Sequence, residues 1–216
     1  PLDIQGATIE TDALRAYDPA ENPEQEPKKI PQELICKILD KIQESHRPVL
    51  FPGNGVRLAG AIEEFHQLVD ILGIPVITGM SSVDAIEADH PCFVGRSGGT
   101  GTRPGNFALQ NSDVLLSIGN RQGFTQTGFQ YQDWARESYT ILNDIDENEL
   151  KKPSLHVSLP VVGDAGELIR GLLAEAEKRG ADKGHPLCKG DEWRKQCLLW
   201  KEKYPVVTKE KYKELE

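Results

Sequence analysis

The chain has 216 residues, of which 38% are hydrophobic, enough for one domain with a real core and too many for a disordered one. Its net charge of −9 and the lack of any basic run exclude a nucleic-acid partner, which a basic face would have to meet. No apolar stretch approaches the roughly 20 residues that cross a bilayer, and the N-terminus lacks the basic-then-apolar pattern of a signal peptide. A soluble cytoplasmic protein without a membrane partner is expected.

In chain order, Pro1 stands where an initiator methionine would, and Leu2 to Ile4 reads as the end of a strand already in progress. Both ends therefore read as boundaries with further domains. Gly6 to Pro31 is rich in Glu, Asp and Pro, and Asp18-Pro19, Asn22-Pro23 and Glu26-Pro27 leave no room for a helix or strand, so residues 1–31 are a linker. From Gln32 the period becomes 3.6, with Leu34, Ile35, Ile38, Leu39 and Ile42 on one stripe. Pro48 to Phe51 is a buried strand closed by Gly53-Asn54-Gly55. Ala59 to Leu72 is helical and is stopped by Gly73.

Ile74 to Thr78, Val114 to Ile118, Tyr139 to Ile145 and Val157 to Val162 have strand length, and Asp164 to about Lys178 is a further helix. Apolar runs alternating with amphipathic helices predict an α/β, doubly wound parallel sheet of about six strands, helices on both faces, over residues 32–179. Residues 180–216 read as a polar linker, then a helix from Glu192 to Lys203 that places Trp193 and Trp200 on one face for packing.

Ligands of parallel sheets sit at the carboxyl ends of the strands, where glycine loops let backbone amides approach phosphates. Four clusters fall there. They are Gly53, Asn54 and Gly55; the loop with Gly95, Gly98, Gly99, Gly101 and Thr102; Gly119, Asn120 and Arg121; and Asp144 with Asp146. Arg121 is a candidate pyrophosphate clamp, with a surface salt bridge as the alternative. The two aspartates suit a ribose hydroxyl or a helix N-terminus better than a metal, for which too few further acids lie near. The dinucleotide fingerprint fails at Leu58, and no Gly-Lys-Ser/Thr of a P-loop occurs. The five histidines stand beside no Ser or Cys in a nucleophile pattern. Cys36, Cys92, Cys188 and Cys197 have neither zinc nor disulfide spacing. No catalytic or metal residue is expected.

Together these segments resemble the middle domain of thiamine-diphosphate-dependent enzymes of the acetolactate synthase type. "PLDIQG" from Pro1 resembles the exit from that family's pyrimidine-binding domain, and "RPVLFPGNGVRLAGA" its first middle-domain strand and turn. "FVGRSGGTGTRPGNFALQNSDVLLSIGNR", "ILNDIDENEL" and "PVVGDAGELI" are similar to its glycine loop, its Asp-Ile-Asp strand and its Gly-Asp strand end. "WRKQCLLWKEKYP" resembles the linker into the diphosphate-binding domain.

The resemblance implies a non-catalytic domain between the pyrimidine-binding and diphosphate-binding domains of one parent chain, itself a homodimer or homotetramer. The parent reaction would be decarboxylation of a 2-oxo acid with transfer of a two-carbon unit. Thiamine diphosphate and Mg²⁺ would belong to the parent only, because Gly163-Asp164 and Gly190-Asp191 continue as Ala165 and Glu192 and make no Gly-Asp-Gly. Relatives hold FAD, ADP or nothing in this domain, at positions matching Gly53 to Gly55, Gly98 to Thr102, Gly119 to Arg121, Asp144 and Asp164. Here Gln122 to Thr125 replaces the flavin binders' acidic pair and second arginine, and Gly99-Thr100 replaces their Met-His. Charge-assisted bonds worth about 1.5–3 kcal/mol each are thereby removed, so an empty or weakly filled groove is expected. The alternative is a free-standing NAD- or flavin-dependent domain of Rossmann-like topology.

Overall fold

The computed structural model describes residues 5–21, 28–188, 191–208 and 210–211. The strand end expected at Leu2 to Ile4, the Asn22-Pro23 and Glu26-Pro27 pairs, and Gly190 lie outside the described residues. Among the described residues of the expected linker, Thr11–Ala13 and Pro19–Glu21 form short exposed turns.

Six parallel strands make one sheet: β1 (Pro48–Pro52), β2 (Val76–Thr78), β3 (Phe93–Arg96), β4 (Val114–Ile118), β5 (Tyr139–Asp144) and β6 (Leu159–Val162). Their order is β3-β2-β1-β4-β5-β6. The direction of winding reverses between β1 and β4, which pair in register from Pro48 with Val114 to Pro52 with Ile118. That reversal opens a crevice at the carboxyl ends of the two strands.

The strands are buried on both faces, and side-chain alternation divides the core in two. Leu50, Val76, Leu116, Ile141 and Val161 point to one side, beneath α1 (Gln32–Glu44), α3 (Ile62–Leu72) and α6 (Ala165–Lys178). Val49, Phe51, Ile77, Leu115 and Leu142 point to the other, toward α4 (Arg103–Asn111) and α7 (Asp191–Lys203). The stripe Ile35, Ile38, Leu39 and Ile42 read from the sequence is the buried face of α1.

Three local features differ from the sequence reading. The helix expected from Ala59 to Leu72 begins at Ile62 as α3, and an unexpected short helix, α2 (Asn54–Leu58), precedes it in place of the Gly53-Asn54-Gly55 turn, with Gly60 at φ 63° between the two. β3 was not anticipated, because only Phe93 and Val94 precede Gly95, whose φ of 154° admits glycine best. The helix expected in the C-terminal linker, α7, packs on the domain itself. Trp193 is buried and its Nε1 donates to the Pro48 carbonyl at 3.1 Å; Cys197 is fully buried; and Trp200 meets the Trp193 ring edge-on at 5.6 Å. A domain ending at residue 179 would leave the α4 side of the sheet without this cover. A short helix, α5 (Phe124–Thr127), follows β4.

Replacement of a buried tryptophan by alanine costs about 3–5 kcal/mol where it fills a core. Trp193→Ala is expected to lower stability by that amount in urea denaturation, and a loss below about 1 kcal/mol would place α7 outside the cooperative unit.

Candidate functional site

The switch-point crevice has a volume of about 630 Å³ and lies at the ends of β1, β4, β5 and β6. Of the residues singled out in the sequence, Asn54, Gly55, Gly119, Asn120, Arg121, Asp144 and Asp164 line it. Gly53 lies beneath, while Gly98, Gly99, Gly101 and Thr102 stand apart in the loop after β3, and Asp146 is outside the lining.

The glycines are required by contact between two backbones. A Cβ on Gly53 would fall 2.2 Å from the Gly119 carbonyl oxygen and 2.4 Å from Asn120 Cα, and one on Gly55 would fall 2.7 Å from Gly119 Cα. Gly119 itself has φ 58°. The glycine amides of these turns already have acceptors in the chain: Gly53 donates to Ile118 O at 2.8 Å, Gly55 to Gly119 O at 2.9 Å, and Gly119 to the Asn143 carbonyl at 3.1 Å. The loop after β3 is closed in the same way. Gly98 N donates to Asn106 Oδ1 at 2.9 Å, Gly99 N to Thr125 O at 3.0 Å, Gly101 N to Gly98 O at 3.0 Å and Thr102 N to Arg96 O at 2.8 Å. Thr102 caps α4 by accepting from Gly105 N.

The charged candidates are also engaged. Asp164 is the N-cap of α6, and its Oδ1 accepts from Gly166 N at 2.9 Å and Glu167 N at 3.0 Å, the amides an anion would otherwise find there. Asp146 Oδ1 accepts from the Asn148 backbone and side chain. Asp144 accepts from Asp146 N at 3.0 Å, and its half-buried position pushes its carboxyl above the usual range. Arg121, largely exposed, pairs with Glu149 at 2.9 Å, and Lys152 joins the same group by donating to Glu149 at 2.9 Å and to the Arg121 carbonyl.

Of two glutamines in the crevice lining, sequence reasoning noted Gln122 only as a departure from the flavin binders and passed over Gln126. Gln122 has φ 52°, is almost fully buried and donates from Nε2 to Ser117 Oγ at 2.9 Å, while its Oε1 has no partner among the described residues. Gln126, with its amide turned to match its neighbours, donates to Ser97 O and Oγ at 3.2 Å and accepts from Met80 N at 3.3 Å. It thus joins the loops after β2, β3 and β4. A polar side chain after a strand carries no motif, so only its burial reveals the role.

Among the described residues, no group of three or more His, Cys, Asp or Glu could hold a metal ion, and no helix is long and apolar enough to cross a membrane. Burial pushes the Cys188 and Cys197 thiols up to about 12, far from a reactive thiolate.

The central-domain family of thiamine pyrophosphate enzymes matches residues 35–172, which span all six strands. The chain belongs to that family. Relatives that it matches include acetolactate synthases. The probable acetolactate synthase large subunit of Methanocaldococcus jannaschii is 35% identical over 175 residues, 81% of this chain and 29% of that protein. The acetolactate synthase large subunit of Corynebacterium glutamicum is 33% identical over 187 residues, 84% of this chain and 28% of that protein. A probable chloroplastic acetolactate synthase 2 of rice, Oryza sativa subsp. japonica, is 28% identical over 181 residues, 83% of this chain and 26% of that protein. The chain thus spans under a third of the length of these relatives and is a central domain of an acetolactate synthase-like thiamine enzyme.

Two substitutions separate the roles of the crevice carboxylates. Asp164→Ala is expected to cost about 1 kcal/mol through the lost cap, while Asp164→Asn, an equally good cap, should cost only a few tenths, read by urea denaturation. A raised carboxyl pKa means that the folded state holds its proton more tightly than the unfolded one. The stability linked to Asp144 is therefore present at low pH and lost as pH rises through the folded pKa. Asp144→Asn should then raise the melting temperature at pH 7, with the gain vanishing below the ordinary carboxylate range; a gain independent of pH would contradict this.

Proposed function

We propose that this central domain catalyses nothing itself and braces the pyrimidine-binding and diphosphate-binding domains of its parent enzyme. The parent, a homodimer or homotetramer, would decarboxylate a 2-oxo acid such as pyruvate and pass the two-carbon unit to an acceptor. One observation carries this reading: the family match covers the sheet, yet the chain offers no Gly-Asp-Gly and, among the described residues, no metal-binding cluster. The groups present do not fit thiamine diphosphate and Mg²⁺, so no step of that chemistry is assigned to them.

The strand order and crevice volume support a second reading, a nucleotide groove for FAD or ADP. The donor set weighs against it. Phosphate recognition needs free amides or cations. Here the turn amides of Gly53, Gly55 and Gly119 donate within the chain, Asp164 holds the α6 N-terminus, and Arg121 is paired with Glu149. We therefore assign the glycine turns to packing and expect no retained dinucleotide.

Calorimetric titration of the chain with thiamine diphosphate and Mg²⁺ at millimolar concentration is expected to give no binding heat, and saturable Mg²⁺-dependent binding would overturn the non-catalytic reading. Purified protein should also show no flavin band in its visible spectrum. A yellow, stoichiometric chromophore would restore the nucleotide groove.

A further inference from the structure

A second groove lies at the β3 edge of the sheet, away from the switch-point crevice. Its first half, about 550 Å³, has walls that include Val83, Ile86, Phe93, Val94 and Val206, with Lys201 the cation at its side. Its second half, about 440 Å³, shares Arg96, Thr102, Tyr204 and Val206 with the first and adds Arg103 and Lys203. The two halves are thus continuous, one mainly apolar and one basic.

The charge distribution is unusual for a chain of net charge −9. Arg96, Arg103, Lys201 and Lys203 line the groove, no Asp or Glu does, and none of the four makes an ion pair among the described residues. Elsewhere the arginines and lysines of the fold are mostly paired, as with Arg121, Arg170, Arg179 and Arg194. Lys201 is held in place by donating to Ala88 O at 2.7 Å and Phe93 O at 2.8 Å, and its ammonium sits 5.0 Å from the Phe93 ring centroid. Arg103 and Lys203 approach the Tyr204 ring at 5.6 and 5.3 Å, and Phe107 supports that ring edge-on at 5.7 Å. Those cations therefore stand over a braced aromatic surface. Val83, Val206 and Val207 leave apolar surface open beside them.

The like charges of Arg96, Arg103 and Lys203 repel one another, and an anion placed among them relieves that repulsion while gaining charge-assisted hydrogen bonds. Exposed apolar surface next to the cations gains by being covered. We propose that this groove binds an amphipathic organic anion, its short aliphatic or aromatic body against Phe93 and Val206 and its phosphate or carboxylate head among Arg96, Arg103 and Lys203. The site is separate from the switch-point crevice.

The test is calorimetric titration of the 216-residue chain with octyl phosphate, octanoate and inorganic phosphate. Saturable binding of at least one amphiphile is expected, with inorganic phosphate about tenfold weaker or more because it leaves the apolar half uncovered. Octyl phosphate binding more tightly than octanoate identifies a phosphate head, and the reverse order a carboxylate head. Arg96→Gln with Arg103→Gln should weaken the amphiphile about tenfold or more, and Val206→Asp should abolish its binding. Lys203→Gln, at an exposed helix end, gives an independent reading of the head site should the double variant fail to fold, and Arg136→Gln, remote from the groove, should bind as the parent does. The proposal is overturned if neither amphiphile saturates by about millimolar concentration. It is equally overturned if inorganic phosphate binds as tightly as the amphiphiles, or if Lys203→Gln and Val206→Asp leave the affinity unchanged.

Discussion

The turns that leave β1 and β4 meet backbone to backbone, and the rest of the domain is arranged around that contact. Gly53 and Gly55 lie so close to Gly119 and Asn120 that any Cβ on either glycine would stand under 3 Å from the opposing main chain. Two hydrogen bonds hold the approach, from Gly53 N to Ile118 O and from Gly55 N to Gly119 O. Because β1 and β4 are the strands between which the winding reverses, their contact sets how far the switch-point crevice can open. Asn143 extends the arrangement outward: it accepts from Gly119 N and donates to Val161 O and Gly163 O, so that the ends of β4, β5 and β6 are linked by one buried amide.

A glycine at a strand end has two uses that leave the same mark in a sequence. It can let a phosphate reach the main chain, or it can let another main chain do so. Here the second use accounts for the close approach of the turns after β1 and β4. An amide that already donates to a carbonyl would have to break that bond before it could serve a ligand. The crevice that remains is bounded by Asp144, Asp164 and an arginine paired with Glu149. Such a surface offers a diphosphate few free donors.

The sheet was legible because β1, β4 and β5 are apolar on both faces and are flanked by helices with clear stripes, such as Ile35, Ile38, Leu39 and Ile42 on α1. β3 was not, since Gly95 interrupts it after two apolar residues. The short helix α2 was not legible because Gly53-Asn54-Gly55 reads as a turn, and Gly60 parts it from α3. For α7, the spacing of Trp193 and Trp200 foretold packing but could not say against what; the partner is the Pro48 carbonyl, 145 positions earlier. At the crevice, the loop residues could be placed at strand ends, but not the destination of each amide proton, which depends on contacts between segments far apart in sequence. The glutamines at 122 and 126 belong to the same class, since their roles arise only once three loops are brought together. The family, by contrast, was carried by the order of several short segments and is shown by the matched relatives.

Native-state hydrogen exchange at the Gly53, Gly55 and Gly119 amides tests the central claim most directly, because it reads whether those protons are engaged within the fold. All three are expected to exchange only through global unfolding, at rates that saturating ADP leaves unchanged beyond any shift common to the core. Fast exchange of these amides in the free chain, slowed selectively when ADP is added, would show that the turns hold their donors open for a ligand and would contradict the account.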